Sequence, residues 1–116
     1  MNRIIKAFKY SVQGIVATWQ SEPAFRQETV VFAVGLLIAI LLPVGFLARS
    51  LMVSSMILVL LAELANTAIE SVVDRISTDR HPLSKKAKDI GSALVLLSII
   101  NAGIIWFFVV LDFLIL

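Results

Sequence analysis

The chain has 116 residues, 59% hydrophobic and only 16% charged, with a formal net charge of +2. A soluble domain is about 45–50% apolar and about 25% charged, and a chain this small needs more polar covering, not less. A soluble globular monomer is therefore excluded, as is disorder, which requires low hydrophobicity; the lack of cysteine excludes disulfide staples and thiolate metal sites. What is left is an all-α membrane protein, a single membrane domain over residues 1–116.

The first predicted element is an amphipathic helix over residues 3–20. At about 100° per residue, Ile5, Phe8, Val12, Ile15, Val16 and Trp19 fall within roughly 120° of Ile4. Lys6, Lys9, Gln13 and Gln20 lie outside that arc. Such a helix lies in the membrane interface. Its apolar residues are periodic rather than a solid run and no small-residue cleavage site follows, so it does not read as a signal peptide. Ser21-Glu22-Pro23 marks a break and restart, with Ser21 the expected N-cap and Pro23 in a first turn.

Three spans follow, at about 29–48, 50–73 and 90–111, each near the roughly 20 apolar residues a bilayer requires. Pro43 and Gly45 fit the end of the first, and the short turn before Ser50 makes the first two an antiparallel hairpin. Arg3, Lys6, Lys9 and Arg26 precede the first span, and Arg75, Arg80, Lys85, Lys86 and Lys88 separate the second from the third. Of the ten basic residues only Arg49 falls in the other loop. The positive-inside rule then puts the N-terminus and the second loop in the cytoplasm.

The second span carries the chemistry. Glu63, Asn66, Glu70 and Asp74 are spaced 3, 4 and 4 and form one ridge on a helix. Glu63 lies roughly 16 Å of helix axis from Asp74. Ionisable groups at such depth are costly and functional by default; the plain alternative is a polar seam gluing helices together, which Asn66 alone would fit. A deep carboxylate suits a general base, and one nearer the water suits a hard cation such as Mg²⁺. One copy of the chain offers too few helices to enclose this ridge, so self-association is expected. The following loop, Asp74 to Asp89, is rich in cations; it serves either as an anchor for anionic head groups or as a phosphate site. His81, the only histidine, has no partner for a metal site and reads as a loop hydrogen-bond donor. Glu22 reads as the exposed partner of Arg26, and Trp19 and Trp106 as interfacial anchors. No P-loop, dinucleotide fold fingerprint or protein-kinase signature is present.

The segment Ala62-Glu63-Leu64-Ala65-Asn66-Thr67-Ala68-Ile69-Glu70-Ser71-Val72-Val73-Asp74-Arg75 resembles the signature of the prokaryotic diacylglycerol kinase family, Glu-x-x-Asn-[Ser/Thr]-Ala-Ile-Glu-x-x-x-Asp. Arg3-Ile4-Ile5-Lys6-Ala7, Glu22-x-Ala24-Phe25-Arg26-Gln27-Glu28 and Ala87-Lys88-Asp89-x-Gly91-Ser92-Ala93 resemble it too. The Phe25 to Glu28 block is more similar to the diacylglycerol-using Gram-negative branch than to the undecaprenol-using Gram-positive one. The resemblance implies a homotrimer of three-span subunits in the inner membrane. It also implies ATP- and Mg²⁺-dependent phosphorylation of diacylglycerol to phosphatidic acid on the cytoplasmic side, with no nucleic-acid partner. By that analogy Glu63 is the general base and Asn66 orients it or the substrate. Glu22 and Glu70 bind the metal. Arg3, Tyr10, Asp79, Arg80, His81, Lys88 and Asp89 meet the nucleotide. Ala7, Phe25, Arg26, Gln27, Glu28, Ser92 and Trp106 meet the lipid.

The chain departs from the family pattern at Val12, Gln13, Pro23 and Leu41, none of them a proposed catalytic group. An undecaprenol kinase is the alternative within this enzyme class. Outside it, a small proton-coupled transporter would suit a membrane-embedded Glu, although a carrier needs neither the basic loop nor the surface helix.

Overall fold

The computed structural model describes residues 2–115 as four helices. They are α1 (Asn2–Ser21), α2 (Pro23–Leu41), α3 (Phe46–Ile76) and α4 (Pro82–Ile115). The last three are long and apolar enough to cross a membrane. At 1.5 Å per residue α2 is about 29 Å long, close to a bilayer's hydrocarbon thickness. With 31 and 34 residues, α3 and α4 are longer than that thickness.

Local chemistry sets the helix limits. Glu22 alone separates α1 from α2; its backbone is extended and it is the N-cap of α2, with Pro23 in the first turn. Ser21, the expected cap, is instead the last residue of α1. The break after α2 lies earlier than the expected first span, since Leu42 is extended and 42–45 are non-helical. Pro43 forces this: it lacks an N–H and disfavours helical geometry in the residue before it. Phe46, Leu47 and Ala48 therefore open α3 rather than close α2.

Proline also strips a donor from Ala39, whose carbonyl has no N–H four residues on. Arg49 replaces it: Nε donates to the Ala39 carbonyl at 2.8 Å and Nη2 to the Leu42 carbonyl at 2.9 Å. Arg49, the one basic residue between the first two spans, is thus the clasp of the α2–α3 hairpin.

The most extensive contact is between α3 and α4, followed by α2 with α3; α1 touches α2 and α3 but not α4 among the described residues. The contacting faces use small side chains. A Cβ at Gly35 would overlap the Met56 sulfur and lie 3.0 Å from its Cε. Ser55 and Ser98 are buried and satisfy their hydroxyls on their own helices, at the Met52 and Val95 carbonyls. Small residues let helices approach where lipid provides no hydrophobic drive to associate. Three contacts set the antiparallel register of α3 and α4: Asp74 with Lys88, Asn66 with Gly91, and Met52 with Trp106. Ile4, Ile5 and Phe8 on α1 remain exposed, as an interfacial helix requires.

Candidate active site

The ridge on α3 meets α2 at Glu63 and α4 at Asn66 and Asp74. Glu63 is only 6% exposed, whereas Asn66 and Glu70 are half-buried and Asp74 is exposed. A single subunit therefore covers the deepest carboxylate, contrary to the expectation that one copy has too few helices to do so. Self-association is not required to bury Glu63.

What covers Glu63 includes another acid. The Glu28 carboxyl on α2 lies within hydrogen-bonding reach of it. The Glu28 Oε2 atom is buried and lacks a protein hydrogen-bond partner. Glu22 and Glu70 are close enough for their charges to be felt at Glu63. Glu63 therefore has three other acids within electrostatic range where α2 meets α3, and like charges so placed repel. The sequence placed Glu28 only among lipid contacts. No local spacing links it to Glu63, because the two meet through the hairpin.

Asn66 links this cluster to α4. Its Nδ2 donates to Glu70 Oε1 at 3.1 Å. Its Oδ1 is buried without a hydrogen-bond donor and is packed against Gly91.

The 77–81 loop closes the end of the α3–α4 hairpin. Ser77 Oγ accepts from the Asp79 N–H at 3.0 Å, and His81 Nδ1 accepts from the Leu83 N–H at 3.1 Å. The histidine is thus an acceptor that caps the start of α4, not the expected donor. A pocket of about 670 Å³ opens here, lined by Asp74, Asp79, Arg80, His81, Lys88 and Asp89 among others. Lys88 reaches across to Asp74 at 2.6 Å, while Lys85 pairs with Asp89 on its own helix at 2.6 Å.

Five of the seven residues expected at the nucleotide therefore line one pocket. Arg3 and Tyr10 do not: with Ala7 they line a separate shallow pocket on α1, which makes no contact with α4 among the described residues. Arg26 does not serve Glu22 either. Its Nη1 donates to the carbonyls of Trp19 at 2.7 Å and Gln20 at 3.2 Å, capping the end of α1. Phe25 is turned inward and buried. Trp106 is half-buried and donates from Nε1 to the Met52 carbonyl at 3.2 Å. Met52 lies about 16 Å of helix axis from Glu63, well away from the acids. Gln27 and Ser92 are exposed.

No cluster of three or more Asp, Glu or His side chains arranged to hold a metal occurs among the described residues. Mg²⁺ does not demand one, since it commonly binds through one or two carboxylates plus substrate phosphates and waters. Glu22 and Glu70 are oxygen donors of that kind, each within electrostatic range of Glu63, and the Asn66 hydrogen bond fixes the Glu70 carboxylate.

A family model described as prokaryotic diacylglycerol kinase matches residues 9–110. The chain is 51% identical over 104 residues to a diacylglycerol kinase of Escherichia coli strain K12, covering 90% of this chain and 85% of that protein. It is 42% identical over 106 residues to the diacylglycerol kinase of Pseudomonas aeruginosa, covering 91% and 86%. A third, from Haemophilus influenzae, is 42% identical over 112 residues, covering 91% and 90%. The matched stretch contains every carboxyl of the cluster and the 77–81 loop; Arg3 and Ala7 lie before it.

Proposed function

Because this chain belongs to the prokaryotic diacylglycerol kinase family, we propose that it moves the γ-phosphoryl group of ATP to the primary hydroxyl of diacylglycerol, making phosphatidic acid. The reaction takes place at the cytoplasmic face of the bacterial inner membrane, in a homotrimer whose subunits pack through the exposed apolar faces of the spans. The observation that carries the reading is Glu63: a carboxyl 6% exposed within an apolar helix, with other acids around it and, at the end of the same helix, a pocket lined by Arg80, Lys85 and Lys88 as well as three aspartates. A transporter has no use for that pocket.

Glu63 accepts the proton of the lipid hydroxyl. The hydroxyl oxygen bonds to the γ-phosphorus as the bond from phosphorus to the β–γ bridging oxygen breaks, and ADP leaves. Phosphoryl transfer depends mostly on positioning and charge neutralisation, which explains how a chain without a P-loop can perform it. Glu22 and Glu70 are the oxygen donors for Mg²⁺, and Asn66 orients Glu70. When bound, Mg²⁺ neutralises charge on the phosphate oxygens. Asp79, Arg80, His81, Lys88 and Asp89 hold the nucleotide. Lipid contacts are Ala7, Gln27, Ser92 and the Glu28 carboxyl beside the base.

Purified protein in mixed micelles is expected to form phosphatidic acid from diacylglycerol only with ATP and Mg²⁺. Glu63→Gln, nearly isosteric, should lower the rate by about 10²–10⁴-fold, the usual contribution of a general base, while the protein stays folded. If more than about a tenth of the rate survived, Glu63 would not be the base. A faster rate on undecaprenol would overturn the lipid assignment.

A further inference from the structure

The contact between Gly91 and Asn66 has no role in the chemistry above. Gly91 is buried on α4 in the turn after Lys88 and Asp89. A Cβ built there would overlap Asn66 Oδ1, lie 3.3 Å from Asn66 Cγ and 3.5 Å from Ile69 Cδ1. Asn66 cannot make room cheaply. Its carboxamide is planar, so Oδ1 cannot swing away without moving Nδ2, which donates to Glu70 at 3.1 Å. The Oδ1 atom has no N–H or O–H partner among the described residues and is buried, so only the bare Cα of a glycine accommodates it. The other tight glycine, Gly35, differs in kind: it meets the far end of the flexible Met56 side chain, which can rotate away.

We propose that Gly91 is a positioning residue: its missing side chain provides the space in which the Asn66 carboxamide lies, and this holds the Glu70 carboxylate where the metal-bound phosphates arrive. This rests on the reading of Glu70 above and extends it to a residue on another helix that touches neither substrate nor metal. It also accounts for the close approach of α3 and α4 at the depth of the acids.

The test compares Gly91→Ala with Gly35→Ala, each alone and the former also combined with Asn66→Ala. Gly91→Ala should lower kcat at least tenfold and raise the Mg²⁺ concentration needed for half-maximal rate, since a displacement near 1 Å can cost up to about 10²-fold. Gly35→Ala should stay within about twofold of the parent, as its neighbour yields at little cost. In the Asn66→Ala background Gly91→Ala should add no further loss, because the group it displaces is gone. A readout free of turnover accompanies these: the side-chain amide signals of Asn66 in ¹⁵N-labelled protein, assigned by their loss in Asn66→Ala. They should shift in Gly91→Ala and not in Gly35→Ala.

Equal behaviour of the two alanine variants, or full additivity with Asn66→Ala, would overturn the proposal. If Gly91→Ala does not fold, recovery of folding in the double variant supports it, and failure to recover overturns it. A parent protein with no kinase activity would refute the kinase reading instead, while the amide signals still report whether Gly91 places Asn66.

Discussion

Arg49→Met removes the clasp between α2 and α3 while keeping most of the stem. In the structure the guanidinium makes two charge-assisted bonds, 2.8 Å to the Ala39 carbonyl and 2.9 Å to that of Leu42. A hydrogen bond to a charged group contributes about 1.5–3 kcal/mol. The two bonds are unequal. Leu42 already accepts from the Val44 N–H at 2.9 Å and stands at the open loop, so water replaces Arg49 there. Ala39 is fully buried, and Pro43 has removed its normal donor, so its carbonyl is left unsatisfied at about 1–3 kcal/mol. A favourable charge at the helix C-terminus adds about 0.3–1 kcal/mol. The expected loss is therefore about 2–3 kcal/mol, read from reversible unfolding of the protein in mixed micelles as SDS is increased. Arg49→Lys, with a single donor point, should fall between the two. Activity per folded molecule should be unchanged, because Arg49 is about 21 Å of helix axis from Glu63. A loss below about 0.5 kcal/mol, no greater than that of the exposed control Lys86→Met, would refute the capping argument.

Trp106→Phe removes the interhelical bond to Met52 and should cost about 0.6 kcal/mol by the same unfolding assay, typical of such bonds within membranes, with lipid and ATP kinetics unaltered; a changed lipid KM would instead make the indole a substrate contact. Two lysines one turn apart should behave differently. Lys85→Ala breaks an exposed pair within α4 and should leave stability and turnover near the parent's, whereas Lys88→Ala should raise the ATP KM at least tenfold without moving the lipid KM. Similar kinetics for the two would remove Lys88 from the nucleotide site. The lack of native cysteine lets single-cysteine variants report topology: Thr78→Cys should react with an impermeant maleimide only from the cytoplasmic side and Val44→Cys only from the outside. The reverse pattern would invert the orientation.

The reaction fits where the groups lie along the helix axis. A diacylglycerol is anchored by its chains and brings its hydroxyl to a limited depth, whereas ATP stays in water. Glu63, Glu70, Asp74 and the 77–81 loop follow one another along and just beyond α3, so the proposed base, metal carboxylate and nucleotide-binding residues come in the order that a membrane alcohol and a soluble nucleotide would meet them.

Much of this was legible in the residues alone. Apolar content and span length demanded a membrane protein, and the spacing of Glu63, Asn66, Glu70 and Asp74 placed them on one side of a helix. Helical periodicity and Pro43 act within a few residues, so they could be read directly, although the proline ended α2 before the expected boundary. Partners across helices were not legible. The Glu28–Glu63 contact, the fit of Asn66 against Gly91, and the bonds of Arg26 and Arg49 to backbone carbonyls all join positions on different helices. Span α2 is apolar on nearly every side, so hydrophobicity has no direction there to say which face meets α3. Packing of small and polar groups, where a glycine admits a carboxamide or a proline frees a carbonyl, chooses the face, and that choice exists only once the helices are side by side.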